Sequence, residues 1–168
     1  KDTPESWLIN YQILSRIDRE KAAEDIEKAL VEFPEDTAIL QQAAVHKMAR
    51  LLEAKRAGSI DSLKTQIEQA EEILGKIKVG VGLRTPFTYS SLSELALAKN
   101  QKDKAIELLE DGMRVCEPPL IDLQLRIAQI YNQSNEPEKA IEALKRADDT
   151  LRQDGPRLNS AQQVEYSR

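Results

Sequence analysis

Lys104-Ala105-Ile106-Glu107-Leu108-Leu109 and Lys139-Ala140-Ile141-Glu142-Ala143-Leu144 are near-copies of one segment, with Ala105 and Ala140 35 residues apart. A fixed period of this length marks a chain built from repeated supersecondary units. Lys21-Ala22-Ala23-Glu24-Asp25-Ile26 is a third copy, with Ala22 83 residues before Ala105. That interval holds one further, expanded unit. Thr65-Gln66-Ile67-Glu68-Gln69-Ala70 fills it, with Gln66 in the alanine slot.

Each segment opens an amphipathic pattern. Ala140, Ile141, Leu144, Ala147 and Leu151 recur at three- and four-residue steps, as do Ala105, Ile106, Leu109 and Met113, and Ala22, Ile26, Ala29, Leu30 and Phe33. That spacing is one face of a helix with 3.6 residues per turn. A second amphipathic pattern precedes each, at about 6–17, 37–57, 86–99 and 119–133. Polar turns such as Lys99-Asn100-Gln101-Lys102-Asp103 and Gln133-Ser134-Asn135-Glu136-Pro137 separate the partners, and Pro34, Pro86 and Pro118-Pro119 punctuate the junctions. Pro137 suits a first helical turn, where its missing N–H costs nothing. The pattern predicts eight helices in four antiparallel pairs. Ala22, Ala105 and Ala140 sit where the second helix of a pair crosses the first, and a methyl side chain lets the axes approach to about 8–10 Å. A single helical hairpin cannot bury its apolar face, so the hairpins stack into a solenoid.

Composition agrees. The 168 residues are 40% apolar, 32% charged and 4% aromatic, with six Gly and seven Pro. That suits a charged, helix-rich protein and excludes collagen and long disordered linkers. No apolar run approaches the roughly 18 residues that span a bilayer, so no membrane partner is expected. No leader is recognisable, and a start at Lys1 rather than Met is what an excised or processed piece would show. The single Cys116 and single His46 leave no disulfide framework and no multi-Cys or His-rich metal site, so no metal or cofactor is expected. Lack of disulfides agrees with a cytoplasmic location. The net charge of −5 divides as −5 over residues 1–40, +3 over 41–85 and −3 over 86–168. A nucleic-acid binder usually carries a net-basic domain, so nucleic acid is not an expected partner.

These residues resemble the tetratricopeptide repeat family. Its pattern is an aromatic or leucine, a small residue and a tyrosine in the first helix, then alanine, an apolar residue and alanine in the second, then proline. The first unit carries Ala22, Ile26, Ala29 and Pro34, with Trp7 and Tyr11 offset by about one residue from the family's spacing. The fourth carries Ile127, Ala128, Tyr131, Ala140, Leu144 and Ala147, with Arg152 in place of the proline. The second and third are degenerate. The third has Leu92, Ser93, Ala105 and Leu109, with Gly112 in its later alanine slot and Ala96 where the tyrosine would stand. The second has Gln66, Ala70 and Ile73, with extra residues near 53–62 and 79–85. The resemblance implies an all-α, right-handed α-α superhelix of about four helical hairpins, a tetratricopeptide-like solenoid. It reads as a single domain over 1–168, with repeats at about 5–36, 37–79, 86–118 and 119–153 and a cap or tail over 154–168.

Gly58-Ser59 reads as a helix stop and start. Gly58 suits a left-handed cap, and Ser59 or Asp61 can cap the next helix. Lys47, Arg50, Lys55 and Arg56 make the lengthened hairpin basic. Gly80-Val81-Gly82 lacks the third glycine, the preceding strand and the Gly-Lys-Ser/Thr signature of a phosphate loop, and reads as a connector. Residues 155–168, with Leu158, Ala161, Val164 and Tyr166, read as a capping helix or the start of a further repeat.

Nothing assembles a reaction centre. His46 follows Ala43-Ala44-Val45 in a helical pattern and reads as packed. Cys116 stands beside Glu117, which does not activate a thiol. Glu71-Glu72, Glu110-Asp111 and Asp148-Asp149 are adjacent on helices and do not face each other. The chain therefore reads as non-enzymatic. The family's first helices line a concave groove that holds a peptide or helix of a partner protein. Carried over, that geometry nominates Leu8, Gln12 and Arg16; Gln41 and Val45; Phe87, Ser90, Glu94 and Leu97; and Asp122, Leu125, Gln129 and Asn132. These positions lack the paired Lys and Asn with which one subfamily grips the carboxylate of chaperone tails. The alternative is a sensor or regulatory arm of a larger signalling protein, touching adjacent domains of its own chain. Self-assembly through the terminal repeats is a third reading.

Overall fold

The structure, a computed structural model, describes residues 3–58, 60–79, 85–116 and 120–154. These residues form eight α-helices and no strand: α1 (Pro4–Ile17), α2 (Arg19–Glu32), α3 (Thr37–Ala57), α4 (Ile60–Val79), α5 (Pro86–Ala98), α6 (Lys102–Val115), α7 (Ile121–Gln133) and α8 (Pro137–Asp154). They divide into two compact units, Lys1–Leu83 and Arg84–Arg168. Within each unit the hairpins pack in chain order: α1 on α2, α2 on α3 and α3 on α4; then α5 on α6, α6 on α7 and α7 on α8. The first helices of successive hairpins also touch, α1 with α3 and α5 with α7.

Local chemistry sets the helix ends. Thr3 and Ser6 form a reciprocal capping box at α1, Asp18 accepts from the Lys21 amide at α2, and Asp36 accepts from the Ala38 and Ile39 amides at α3. Each satisfies amide donors that the first turn leaves orphaned. Gly58 ends α3 at φ 68°, the left-handed cap expected there. Ser59 and the Asp61 side chain, Gly80–Gly82, Pro118-Pro119 and the 155–168 stretch lie outside the described residues.

In unit 2 the period is written in the backbone. Asn100 and Asn135, 35 residues apart, both take φ near +60° (58° and 59°). In each turn the next amide returns to a carbonyl five residues back, Gln101 to Ala96 at 2.9 Å and Glu136 to Tyr131 at 3.0 Å. Five residues beyond each Asn stands the crossing alanine, Ala105 or Ala140, and both are buried. Gly112 occupies its slot for a steric reason. A Cβ there would lie 2.7 Å from Tyr89 Cβ on α5.

Two expectations change. The buried row of α2 is Ala22, Asp25, Ile26 and Ala29; that of α6 includes Ala105, Leu108, Leu109 and Gly112; that of α4 is Ala70, Ile73, Leu74 and Ile77. All three rows step by three, four and seven from an alanine. Ala70, not Gln66, is therefore the crossing residue of the second hairpin, and it stands 35 residues before Ala105. The surplus length of the second hairpin is shared by its two arms. α3 has 21 residues where α5 and α7 have 13. Gly58 precedes its alanine by 12 residues, against five in unit 2. Seven or eight residues make two helical turns, so both arms lengthen by about 10–12 Å without rotating their apolar faces. The second change is in α8. Its seam against α7 is Ala140, Ala143 and Ala147, while Ile141 and Leu144 remain about half exposed.

Candidate functional site

In unit 2 the structure gathers three of the nominated residues. Leu125, Gln129 and Asn132 project from α7 at helical spacing and line an open cleft of about 320 Å³ with Ala128. The opposite wall is Pro137, Ala140, Ile141 and Leu144 of α8. Because three alanines close the α7–α8 seam, the bulkier Ile141 and Leu144 are displaced to its flank and give the cleft an apolar wall. Sequence periodicity alone places those two residues on the apolar face.

Glu94 has a different setting. It is buried on α5, and its carboxylate pairs with the Arg126 guanidinium of α7. Arg126 Nη1 also donates to Gln129 Oε1 at 2.9 Å. A polar chain thus runs from Glu94 through Arg126 to the edge of the cleft, and it leaves the Gln129 amide N–H groups for another acceptor. Burial pushes the Arg126 pKa down. Arg126 was not nominated, because a single arginine in an amphipathic helix carries no sequence signal of its own. Ser90 and Leu97 are half-buried on α5, Phe87 is 40% exposed at its start, and Asp122 is exposed at the first turn of α7.

In unit 1, Gln12 and Arg16 are exposed on α1 and Leu8 is half-buried. On α3, Gln41 is half-buried and Val45 exposed. Ile9, Ile13 and Ile17 form an exposed row along α1. Lys47 does not join the basic surface of the long hairpin. Its ammonium turns inward to pair with Glu27, and it lies 3.3 Å from Gln69 Oε1. Lys55 and Arg56 are exposed.

His46 packs edge-on against Tyr11, with the rings 6.2 Å apart and the phenol 3.5 Å from Nδ1. Burial, then the charge of Lys47, lowers its pKa, which keeps the ring neutral at pH 7. Burial also raises the Cys116 thiol, which disfavours the thiolate a nucleophile needs. Among the described residues no group of His, Cys, Asp and Glu could hold a metal ion, and no helix is long and apolar enough to cross a membrane.

No protein-family model matches the chain, and no curated protein matches it. Among solved structures it is similar to a candidate kinesin light chain of Podosopora anserina with nearly identical TPR-like repeats. The TM-score is 0.56 at 16% identity, over 95% of this chain and 80% of that one. At that identity the likeness speaks to architecture, and it agrees with the hairpins, the 35-residue period and the alanine crossings. The chain has the fold of tetratricopeptide-like helical repeats, an all-α repeat solenoid.

Proposed function

We propose that this chain is a non-enzymatic protein-interaction module whose first helices hold a peptide or helix of a partner protein. Repeat solenoids of this kind generally serve as interaction scaffolds, because stacked hairpins present a continuous surface. The observation that carries the reading is the cleft between α7 and α8 in unit 2. It joins the apolar Leu125, Ile141 and Leu144 to the amides of Gln129 and Asn132. Apolar pockets with a few side-chain amides suit an extended or helical segment, whose main chain offers carbonyls and whose side chains seek burial.

Selection of a displayed peptide library on the intact protein, followed by affinity measurement of the enriched peptides, tests this. Leu125→Ala and Gln129→Ala should each weaken the enriched peptides about tenfold or more, the loss expected when an anchor or a buried hydrogen bond goes. Undiminished binding by both variants would remove the cleft from the site.

A further inference from the structure

We propose that unit 1 carries a separate binding site, a basic pocket beside the α1–α2 turn that takes a glutamate-rich segment of a partner protein. The lengthened second hairpin completes it. Tyr11 meets His46, 35 residues further on, so α1 ends level with Leu52 while α3 runs on through Ala57. The overrun forms a step that brings Glu53 and Arg56 to one end of a pocket of about 410 Å³ between α1, α2 and α3.

Three guanidinium groups reach this pocket, Arg19 from α2 and Arg50 and Arg56 from α3. A single carboxylate, Glu53, stands among them. Its oxygens are 3.7 Å from Arg19 Nη1 and 3.9 Å from Arg50 Nη1, which is ion-pair distance but beyond hydrogen-bond distance. Arg56 has no ion-pair partner among the described residues. His46 in the same pocket is neutral, so the lining carries an excess of two positive charges.

The helix dipole favours Arg56, in the last turn of α3, but not the other two arginines. Cations are favoured at helix C-termini, yet Arg19 is the first residue of α2, where a cation is disfavoured, and Arg50 lies about two turns before the end of α3. An anion in the pocket accounts for both. Guanidinium forks pair with carboxylates through two parallel hydrogen bonds, and the loose contacts to Glu53 leave those donors uncommitted. Val45, Ala49 and Leu52 of α3 also line the pocket, apolar surface that suits the methylenes of a glutamate side chain better than a bare ion.

The test is fluorescence anisotropy on the intact protein at low salt. The probes are a labelled eight-residue peptide carrying four glutamates and its counterpart with four glutamines. The glutamate peptide should bind at least tenfold tighter. The Arg50→Gln/Arg56→Gln double variant should lose at least tenfold, and these exposed side chains can change without disturbing the core. Arg114→Gln/Arg146→Gln removes the same charge from unit 2 and should change affinity less than twofold. Leu125→Ala should leave it unchanged, which separates this site from the unit 2 cleft. Equal affinity for the two peptides, or equal loss in both double variants, would overturn the proposal. Displacement of the peptide by micromolar inorganic phosphate would also overturn it, since the pocket would then be a phosphate site.

Discussion

Glu94→Ala is expected to cost about 2–3 kcal/mol of unfolding free energy, more than truncating any exposed nominated residue. The reason is the partner left behind. Arg126 is half-buried, and its lowered pKa records the cost of that burial. Without the Glu94 carboxylate the guanidinium keeps its desolvation penalty and loses its main compensation. Replacing both partners by apolar residues of similar volume should restore most of the loss, because the penalty disappears with the charge. Urea unfolding of wild type, Glu94→Ala and Glu94→Leu/Arg126→Met measures this. The double variant should lie within about 1 kcal/mol of wild type. A double variant less stable than the single would mean that the pair does not hold α5 and α7 in the way described.

Gly112→Ala is the second large effect, and its sign opposes helix propensity. Alanine is favoured over glycine inside a helix by about 1 kcal/mol. At residue 112 the added methyl would lie 2.7 Å from Tyr89 Cβ, 2.8 Å from Tyr89 Cγ and 3.0 Å from Leu123 Cδ1. A Cβ is fixed to its backbone, so relief requires helices to move apart. Overpacking of this kind costs about 1–3 kcal/mol, and the net change is destabilising. Gly75→Ala is the matched comparison. Gly75 also lies within a helix, on α4, and a methyl there meets nothing within 4 Å. It should stabilise by about 0.5–1 kcal/mol. Thermal unfolding of the two variants should move in opposite directions, and a gain in both would show that α5 and α6 are not in close contact at Gly112.

The hairpins were legible because the alanine segments at 22, 105 and 140 repeat with their surrounding apolar steps, and the turns and prolines between them have specific backbone chemistry. The second crossing was misplaced for a definite reason. Inserting seven residues adds close to two whole turns, so the apolar pattern continues without a break, and Gln66 and Ala70 lie on the same face. Periodicity alone cannot choose between them. The burial of α8 was misjudged because Ile141 and Leu144 share an apolar stripe with Ala140 and Ala147, and hydrophobicity favours the large residues. Close helix approach favours the small ones instead. Of the nominated lining, Leu125, Gln129 and Asn132 come together because residues at such spacing on one helix must. Glu94 is directed inward by Arg126, a pairing between residues 32 apart that no local pattern encodes. Of the unit 1 pocket, Arg50 and Arg56 are legible as part of a basic hairpin, whereas nothing local in the sequence brings Arg19 to them. Arg56 joins Arg19 and Arg50 at one pocket because α3 runs past the end of α1.

Small residues at one shared register hold the hairpins together, and the second hairpin is the place to test this because sequence and burial there disagree. Equilibrium urea unfolding of Ala70→Leu and Gln66→Leu compares the two candidate crossings directly. Ala70 is fully buried, so a leucine there should cost about 1–3 kcal/mol. Gln66 is half-buried, and its side-chain oxygen lacks a hydrogen-bond partner, so a leucine there should be neutral within about 0.5 kcal/mol or stabilising. The reverse order, with Gln66→Leu the damaging change and Ala70→Leu tolerated, would contradict the account.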